Sequence, residues 1–448
     1  MKLFGMEKML RAYARRKPLR LHMPGHKAAR AFRRRFPVAA ADITELCFSD
    51  SLQQPEGVIA AAERRVAEIL GAKKSFFLTD GSTCGVFSML YAVKARGGEV
   101  VVNRNAHQSV YNACKVLGVE PVILSQNTKD GILLPPEPRE LERALAEHPA
   151  ADALLTYPDY YGQTFDLSAM KKICAARGRL LLLDGAHGGH FRFYSASVYA
   201  GEYADIWVDG VHKTLPCLTQ TAVLNVNDGA CISVAAEAVK IFRTSSPSYP
   251  LMASIEYGEE FMAKEGARLL SSLEKSVSAC KRLLLAHGYG VFDGGDALKL
   301  CVDFAPTGIS PFAAEEILHK KGIYAEMNDG RRLLFLLGVS TTKRQLRRLT
   351  RALIAVRKLP AGAYTPPPAV KTGVKATSCS EACAAESERV PLRDAVGRTL
   401  AENVGLFPPC CPLCVAGETM TEAVAETLEK AQYSFGAEGG KVKVVKKG

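Results

Sequence analysis

The chain has 448 residues, of which 48% are hydrophobic and 23% are charged, a composition typical of a globular protein with more than one domain. No apolar run approaches the ~20 residues that a membrane helix needs, and the first residues lack the layout of a secretory signal, so we expect a cytoplasmic protein. The formal net charge of +12 permits nucleic-acid binding, but the basic residues are spread along the chain, which favours a solvated surface over a nucleic-acid-binding stripe.

The 13 cysteines are scattered and odd in number, which indicates reduced thiols rather than a disulfide framework. The densest group is formed by Cys410, Cys411 and Cys414 and contains one C-x-x-C step. No second Cys/His pair stands at zinc spacing, so we expect a proline-rich loop there and no bound metal.

The first 55 residues are typical of an N-terminal arm of short helices and loops. Apolar residues then recur at helical spacing from Val58 to Leu70, and Gly71 ends the pattern. Strand and helix candidates alternate over residues 75–224. This alternation predicts an α/β domain whose mostly parallel sheet carries helices on both faces, with ligands at the carboxyl ends of its strands.

The rest of the chain is expected to divide into smaller parts. We predict that the large domain covers residues 56–265 and that a small α+β domain covers residues 266–358. Residues 359–388 are rich in Pro, Ala, Ser and Thr, which is typical of a linker. A small C-terminal unit is predicted over residues 389–435, and the Gly/Lys tail over residues 436–448 is expected to be disordered.

Two side chains at the ends of predicted strands point to one cofactor. The apolar run 180–183 ends in Asp184, and Lys213 follows the next apolar run, 206–208, after a few residues. A lysine there can hold the aldehyde of pyridoxal phosphate (PLP) as a Schiff base, and a carboxylate keeps the pyridine nitrogen protonated, which makes the ring an electron sink. The pattern therefore predicts that Lys213 and Asp184 bind PLP.

A glycine-containing turn, residues 79–85, stands between a strand candidate and a helix candidate. Freed N–H groups at a helix start, with the hydroxyls of Ser82 and Thr83, predict a cradle for the cofactor phosphate. The alternative is an ordinary helix cap, because Gly-Ser-Thr turns often serve that purpose.

Histidines follow several of the same predicted strands. His107 stands at a strand end, where it either stacks on a cofactor ring or is an ordinary loop histidine. Ala186 is small enough to sit under a flat ring, and His187 comes directly after it. His212 precedes Lys213, whose pKa must be depressed by desolvation and neighbouring positive charge before its amine can attack an aldehyde.

Motifs spread over residues 18–425 resemble the Orn/Lys/Arg decarboxylase family of fold-type-I PLP enzymes, in its short form without an N-terminal wing domain. The motifs that carry the resemblance are His22-Met-Pro-Gly-His-Lys27, Asp42-Ile-Thr-Glu45, Pro55-Glu-Gly57, Gly81-Ser-Thr83, Arg104-Asn-Ala-His107, Tyr157-Pro-Asp-Tyr-Tyr-Gly162, Asp184-Gly-Ala-His-Gly188, His212-Lys-Thr-Leu-Pro216, Thr244-Ser-Ser-Pro-Ser-Tyr249, Gly322-Ile-Tyr-Ala-Glu326, and Phe407-Pro-Pro-Cys-Cys-Pro412 leading to Gly417-Glu418. Their number and order make the resemblance specific.

The resemblance implies decarboxylation of arginine, lysine or ornithine to the corresponding polyamine-pathway amine, through an external aldimine and a quinonoid. It implies that Lys213 forms the internal aldimine and that Asp184 pairs with the pyridine nitrogen. It also implies that His107 stacks on the ring and that Ser82 and Thr83 hold the phosphate.

Further roles are implied for both sides of the site. His187 and His212 are expected to line the reaction face, next to Ala186. The segment of Thr244, Ser245 and Ser246 is expected to reach the phosphate of a neighbouring subunit. A homodimer would then be the minimal active unit, and no decamer need be inferred.

Substrate contacts are less defined by the sequence. Glu418 is the candidate contact for the distal cation of the substrate, with Glu326 and His26 as further candidates. Asp50 is also possible, because a guanidinium needs a well-placed carboxylate.

The chain departs from the usual family pattern at several positions. Gly210 and Val211 replace a serine and a threonine or alanine, so a phosphate-facing hydroxyl is missing. Gly185 stands where a glutamate is usual, and Cys410-Cys411 replaces a Gly-Ile or Gly-Val step. These changes leave the details of the cofactor and substrate pockets open.

Two other functions are compatible with parts of the pattern. One is a different reaction of the same fold, performed by an aminotransferase, an aldolase or a carbon–sulfur lyase. The other is a non-enzymatic nucleic-acid-binding or regulatory protein, which only the basic balance suggests.

Overall fold

The computed structural model describes residues 4–358, 364, 373–407, 409–431 and 433–446. Its α-helices are α1 (Gly5–Arg15), α2 (Arg30–Arg35), α3 (Val58–Leu70), α4 (Gly81–Lys94), α5 (Gln108–Leu117), α6 (Pro138–Glu147), α7 (Leu167–Ala176), α8 (Val211–Thr214), α9 (Ile232–Phe242), α10 (Tyr249–Ala286), α11 (Pro311–Lys320), α12 (Lys343–Val356), α13 (Cys379–Ala384) and α14 (Glu422–Lys430). Its β-strands are β1 (Lys74–Leu78), β2 (Glu99–Val102), β3 (Glu120–Ile123), β4 (Thr128–Lys129), β5 (Ile132–Leu133), β6 (Asp152–Thr156), β7 (Leu181–Asp184), β8 (Ile206–Asp209), β9 (Ala222–Val226), β10 (Gly290–Phe292), β11 (Lys299–Asp303), β12 (Met327–Asn328), β13 (Arg332–Leu336), β14 (Ser387–Pro391), β15 (Val404–Leu406), β16 (Pro412–Cys414), β17 (Ser434–Phe435), β18 (Ala437–Glu438) and β19 (Lys441–Val445).

The chain forms two compact units. The first comprises Met1–Ala92, Leu182–Ser271 and Gly338–Ser340, and the second comprises Val93–Leu181, Ser272–Leu337 and Thr341–Gly448. Each unit contains parallel strands together with α-helices, so the predicted α/β fold class is confirmed. Within the described residues, no helix combines the length and apolar character that crossing a membrane requires.

In the first unit the strands lie in the order β1-β9-β8-β7. Strands β7 and β8 are parallel, with Asp184 opposite Val208, and β9 runs antiparallel to β8 and β1. Every residue of β7 and β8 is buried, as expected for strands covered on both faces. Because parallel strands end at the same edge, Asp184 and the chain leading to Lys213 emerge side by side.

Helix α4 packs closely on this part of the sheet. A Cβ atom at Gly85 would lie 2.5 Å from Cγ2 of Val208 in β8, so glycine is needed for this approach. The tight packing holds the first turn of α4, which contains Ser82 and Thr83, next to the strand that leads to Lys213.

In the second unit β2 is parallel to both β3 and β6. A separate four-stranded sheet has the order β10-β11-β13-β12. The C-terminal part adds the sheets β16-β15-β17 and β14-β19-β18. Its apolar core is formed by residues that include Leu400, Val404, Met420 and Val424.

Residues 436–448 were expected to form a disordered tail, but the described part of this stretch, residues 436–446, contains β18 and β19. Strand β19 pairs with β14 along its whole length, and Val442 and Val444 are fully buried. Alternate residues of a strand face the same side, so the Lys-Val-Lys-Val sequence puts its valines into the core and its lysines outward. The lysine content concealed this alternation in the sequence.

The predicted linker over residues 359–388 lies partly outside the described residues, at 359–363 and 365–372. The remainder contains α13, whose start is stabilised by a capping box between Ser378 and Glu381. The domain boundaries proposed from the sequence stay predictions.

Candidate active site

Lys213 lies in the short helix α8, directly after β8. Its Nζ is 3.1 Å from Nε2 of His187, a buried residue in the segment that follows β7. The structure therefore brings together an amine and an imidazole that are 26 residues apart in the sequence. A ring nitrogen at this distance can exchange a hydrogen bond with the amine and influence its protonation.

The start of α8 lies very close to the segment after β7. A Cβ atom at Gly210 would be 2.7 Å from the backbone oxygen of Ala186, which is closer than Cβ atoms approach other heavy atoms in proteins. A serine at position 210 would therefore require the backbone to shift. The absence of a hydroxyl here, noted from the sequence, fits the close approach of Ala186.

His212 is held by the loop before β9. Its Nδ1 donates a hydrogen bond to the backbone oxygen of Thr221 over 2.7 Å. Burial lowers the pKa of His212, the charge of Lys213 lowers it further, and the bond to Thr221 partly opposes these effects. With the proton of the neutral ring on Nδ1, Nε2 carries the lone pair.

The same loop contacts the predicted phosphate cradle. The backbone N–H of Gly81 donates to the oxygen of Gln220 over 2.8 Å. Ser82 is half-buried and Thr83 is exposed in the first turn of α4. Because α4 has 14 residues, its start presents N–H groups and a positive helix end to an anion.

The segment that was expected to reach another subunit also lies beside this turn in its own chain. The backbone N–H of Thr244 donates to Oδ2 of Asp80 over 3.3 Å, and Thr244 Oγ1 accepts from the N–H of Ser246 over 3.1 Å. Ser245 and Ser246 are exposed. Their predicted contact with a neighbouring subunit stays a prediction.

Asp184 is buried at the end of β7, where its Oδ1 accepts the N–H of Ala186 over 3.2 Å. The equivalent end of β8 carries a second carboxyl group, Asp209, which sequence reasoning did not select. Its only signal in the sequence is an acid at the end of an apolar run.

Asp209 is fully buried and its Oδ2 is surrounded by donors. The hydroxyl of Tyr199, Nε1 of Trp207 and Nδ2 of Asn225 lie 3.0, 2.9 and 3.3 Å away, respectively. Burial raises the pKa of Asp209 to about 7, the hydrogen bonds from Trp207 and Tyr199 lower it, and the charge of Asp184 raises it further. Asp209 therefore retains its proton up to near-neutral pH.

The side chains of the first unit fit PLP. An amine, a buried carboxylate at the adjacent strand end and a helix start with two hydroxyls provide one group for each polar part of the cofactor. The amine suits the aldehyde, the carboxylate suits the pyridine nitrogen, and the helix start suits the phosphate.

His107 belongs to the second unit, where it caps helix α5. Its Nδ1 accepts the backbone N–H of Ser109 over 3.2 Å, so this nitrogen is unprotonated. The Ser109 hydroxyl is 2.9 Å from the same nitrogen. These contacts fix the orientation of a half-buried ring.

Glu418, the predicted contact for the distal cation of the substrate, has an ionic partner within its own unit, and its contact with a substrate stays a prediction. Its carboxylate forms a bidentate ion pair with Arg104, with 2.7 Å between Nη2 and Oε2. Oε2 also accepts the N–H of Val415 over 2.9 Å, and both charged side chains are buried. Arg104 belongs to one of the motifs that carry the resemblance, but no feature of the sequence indicates that it pairs with Glu418.

Glu326 and His26, which were also predicted to contact the substrate, lie in different units. Glu326 is exposed and accepts a hydrogen bond from the hydroxyl of Tyr160 over 2.6 Å. His26 has its Nε2 3.1 Å from Oδ2 of Asp42 and stacks on Phe32. Their contact with a substrate stays a prediction.

No group of three or more His, Cys, Asp and Glu side chains within the described ranges is arranged to hold a metal ion. All 13 cysteines are free thiols. Cys410 and Cys411 instead contact the loop that precedes α5 through hydrogen bonds.

Comparison with known proteins places the chain in a family. The profile described as "Orn/Lys/Arg decarboxylase, major domain" matches residues 5–292, and the profile of the family's C-terminal domain matches residues 358–434. Because the first match covers more than half of the chain, the protein belongs to the Orn/Lys/Arg decarboxylase family.

Individual relatives agree with this assignment. An arginine decarboxylase of Halalkalibacterium halodurans is 29% identical, with 92% of this chain and 90% of the relative aligned. An arginine decarboxylase of Bacillus subtilis is 27% identical over the same shares of the two chains. The solved lysine decarboxylase of Francisella novicida has a TM-score of 0.85 at 18% identity, covering 99% of this chain and 81% of that structure, which shows the shared fold.

These findings confirm three predictions from the sequence: the family, the fold-type-I architecture, and an enzyme that decarboxylates a basic amino acid.

Proposed function

We propose that the protein uses PLP to decarboxylate L-arginine, releasing carbon dioxide and agmatine. The cofactor is supported by the donor set of the first unit, above all by Lys213 and its 3.1 Å contact with His187. Arginine is supported by the names of relatives that align over at least 90% of both chains. Lysine and ornithine remain the alternatives within the family.

PLP, when bound, supplies an electron sink for the pair that is released as the bond between Cα and the carboxylate breaks. The amine of Lys213 must be neutral to bond to an aldehyde carbon, and His187 is placed to accept or return the proton at Nζ. Asp184 would pair with the pyridine nitrogen, because a buried carboxylate favours a cationic partner.

The remaining groups of the first unit have the task of binding and orienting the cofactor. The N–H groups at the start of α4, with the hydroxyls of Ser82 and Thr83, would hold the phosphate. His212 contributes a neutral ring whose orientation is fixed by Thr221. For His107, the role of stacking on the cofactor ring is inferred from the family resemblance.

The biological setting follows from the same proposal. A homodimer is proposed because Ser245 and Ser246 are exposed next to the phosphate turn and are available to a second subunit. The 13 free thiols support a reducing, cytoplasmic location. Agmatine formation would assign the enzyme to polyamine biosynthesis.

The decisive experiment offers arginine, lysine and ornithine to the purified protein with PLP and measures carbon dioxide and amine products without an added keto acid. We expect arginine to be decarboxylated fastest. A requirement for a keto acid, with amino transfer and no carbon dioxide, would instead identify an aminotransferase.

Lys213→Ala tests the central assignment. We expect carbon dioxide release to fall by at least about 10³-fold, because the variant loses the amine that attaches the cofactor. Borohydride reduction followed by peptide mass spectrometry should label Lys213 in the parent and no lysine in the variant. Lys240→Ala, which removes an exposed lysine of the same unit, is the matched control and should behave like the parent.

A further inference from the structure

The loop that carries His107 is connected to the C-terminal part of the chain. We call residues 103–108 the His107 loop and residues 410–418 the C-terminal segment. Besides the ion pair of Arg104 with Glu418, Nη2 of Arg104 donates to the backbone oxygen of Leu413 over 3.2 Å. The connection therefore joins a charged side chain to both a carboxylate and a carbonyl.

Two further hydrogen bonds join the same two stretches. The backbone N–H of Gln108 donates to the oxygen of Cys410 over 2.8 Å. The thiol of Cys411 donates to the oxygen of Asn105 over 3.0 Å. The contacts thus lie on both sides of His107 in the sequence.

The opposite side of the His107 loop is held by the second unit's own sheet. Asn103 accepts the N–H of Thr156, the last residue of β6, over 2.9 Å. Asn105 donates to Oδ2 of Asp159 over 3.1 Å. The backbone N–H of Arg104 also donates to Oε1 of Gln126, and the hydroxyl of Tyr111 donates to the oxygen of Arg104. The contacts of the C-terminal segment therefore add to those that hold the loop within the second unit.

The ion pair is the strongest of these contacts because it is bidentate and buried. The side chains of Arg104 and Glu418 are 9% and 6% exposed, respectively. A bidentate ion pair between a guanidinium and a carboxylate is strong and also fixes the relative orientation of the two groups. If one partner is removed, the other becomes an unpaired buried charge and the contact is lost as a whole.

We propose that Arg104 and Glu418 act together as positioning residues that fix the ring of His107 for its task, and that Glu418 does not bind the distal cation of the substrate. This inference depends on the proposed function, because the task of His107 is to stack on the cofactor. On this inference, the C-terminal segment contributes to the reaction by holding the His107 ring in place.

Glu418→Gln is the first test, because glutamine keeps the size of the side chain and an acceptor for the N–H of Val415. We expect kcat to fall by about 10- to 100-fold, as for a misplaced catalytic group. KM should change by less than about threefold for arginine, lysine and ornithine alike. The visible circular dichroism of the bound cofactor should change, because it depends on the ring environment.

Arg104→Gln should produce the same changes as Glu418→Gln, and the double variant should be no worse than the more affected single variant, because the two residues form one interaction. Arg104→Lys should restore part of kcat. Glu429→Gln, which breaks an exposed bidentate pair with Arg393 in the same C-terminal part, is the control and should leave all parameters unchanged.

A cofactor-free measurement separates this inference from the proposed function. In protein without PLP, Glu418→Gln should increase hydrogen exchange in residues 103–108 above the parent and above Glu429→Gln. Unchanged hydrogen exchange in these residues would overturn the inference. It would also be overturned if KM rose in Glu418→Gln but not in Arg104→Lys and the rise depended on the head group of the substrate. A parent protein that neither binds PLP nor decarboxylates would instead overturn the proposed function.

Discussion

Replacing Asp209 by asparagine should change how the stability of the protein depends on pH. The ordinary aspartate pKa of 3.8 is raised to about 7 in the folded protein, mainly by burial. Between these two values the unfolded chain ionises Asp209 while the folded chain keeps its proton. The folded state therefore binds more protons, and stability falls as the pH rises through this interval.

The size of the effect follows from the difference between the two pKa values. Three pKa units correspond to a loss of about 4 kcal/mol between pH 4 and pH 8. Below the unfolded pKa both states are protonated and the full stability is present, and above the folded pKa the loss is complete. In Asp209→Asn this contribution is absent, because an amide does not titrate.

The amide has its own cost, which does not depend on pH. Its oxygen can accept the hydrogen bonds from Tyr199 and Trp207, but its NH₂ group enters a site where Oδ1 of Asp209 has no hydrogen-bond partner. An unsatisfied amide costs roughly 1–3 kcal/mol. We therefore expect the variant to be less stable than the parent at pH 4 and more stable at pH 8.

Trp207 makes the measurement local. It is the only tryptophan in the chain and donates directly to Asp209, so its fluorescence reports the unfolding of the surrounding first unit. Urea unfolding at a series of pH values, without PLP, gives the stability difference between variant and parent at each pH. Asp394→Asn, at an exposed position, is the control. Parallel pH profiles for the parent and Asp209→Asn would show that Asp209 does not titrate between pH 4 and pH 8 as described.

Two further changes test features of the fold. Gly210→Ser should lower the free energy of unfolding by roughly 1–3 kcal/mol and weaken PLP binding, because its Cβ would meet the oxygen of Ala186 at 2.7 Å. Urea unfolding and titration with PLP measure these two effects. A variant that binds PLP more tightly than the parent would contradict the prediction. Val442→Ala should cost roughly 1–3 kcal/mol, because the side chain is fully buried in β19, whereas Lys441→Ala on the exposed face should be nearly neutral. Equal stability of the two would mean that β19 does not pack as described.

The sequence was sufficient to predict those parts of the fold and of the site that depend on local patterns. Buried strands appear as short apolar runs and the helices between them as periodic patterns, so the parallel α/β architecture could be derived. The shared location of Asp184 and Lys213 followed, because consecutive parallel strands end at the same edge. The role of His187 at the reaction face came from the family resemblance, and its 3.1 Å contact with Lys213 depends on side-chain packing.

Contacts between distant parts of the chain could not be derived in this way. Arg104 and Glu418 are separated by 314 residues, and no periodicity in either segment indicates that they form a pair. Glu418 alone looked like an unpartnered acid near a substrate site. Strand β19 likewise depends on β14, more than 50 positions earlier, and without that partner its lysines resemble a solvated tail.

Asp209 and Asp184 lie at neighbouring strand ends but have different hydrogen-bond partners. Two carboxylates near each other cannot both ionise without cost. Complete burial and the charge of Asp184 keep the proton on Asp209, whose Oδ2 is already supplied with donors by Tyr199, Trp207 and Asn225. Asp184 then remains the acid at this edge that can pair with a cationic ring, which is the division of roles that the proposed reaction requires.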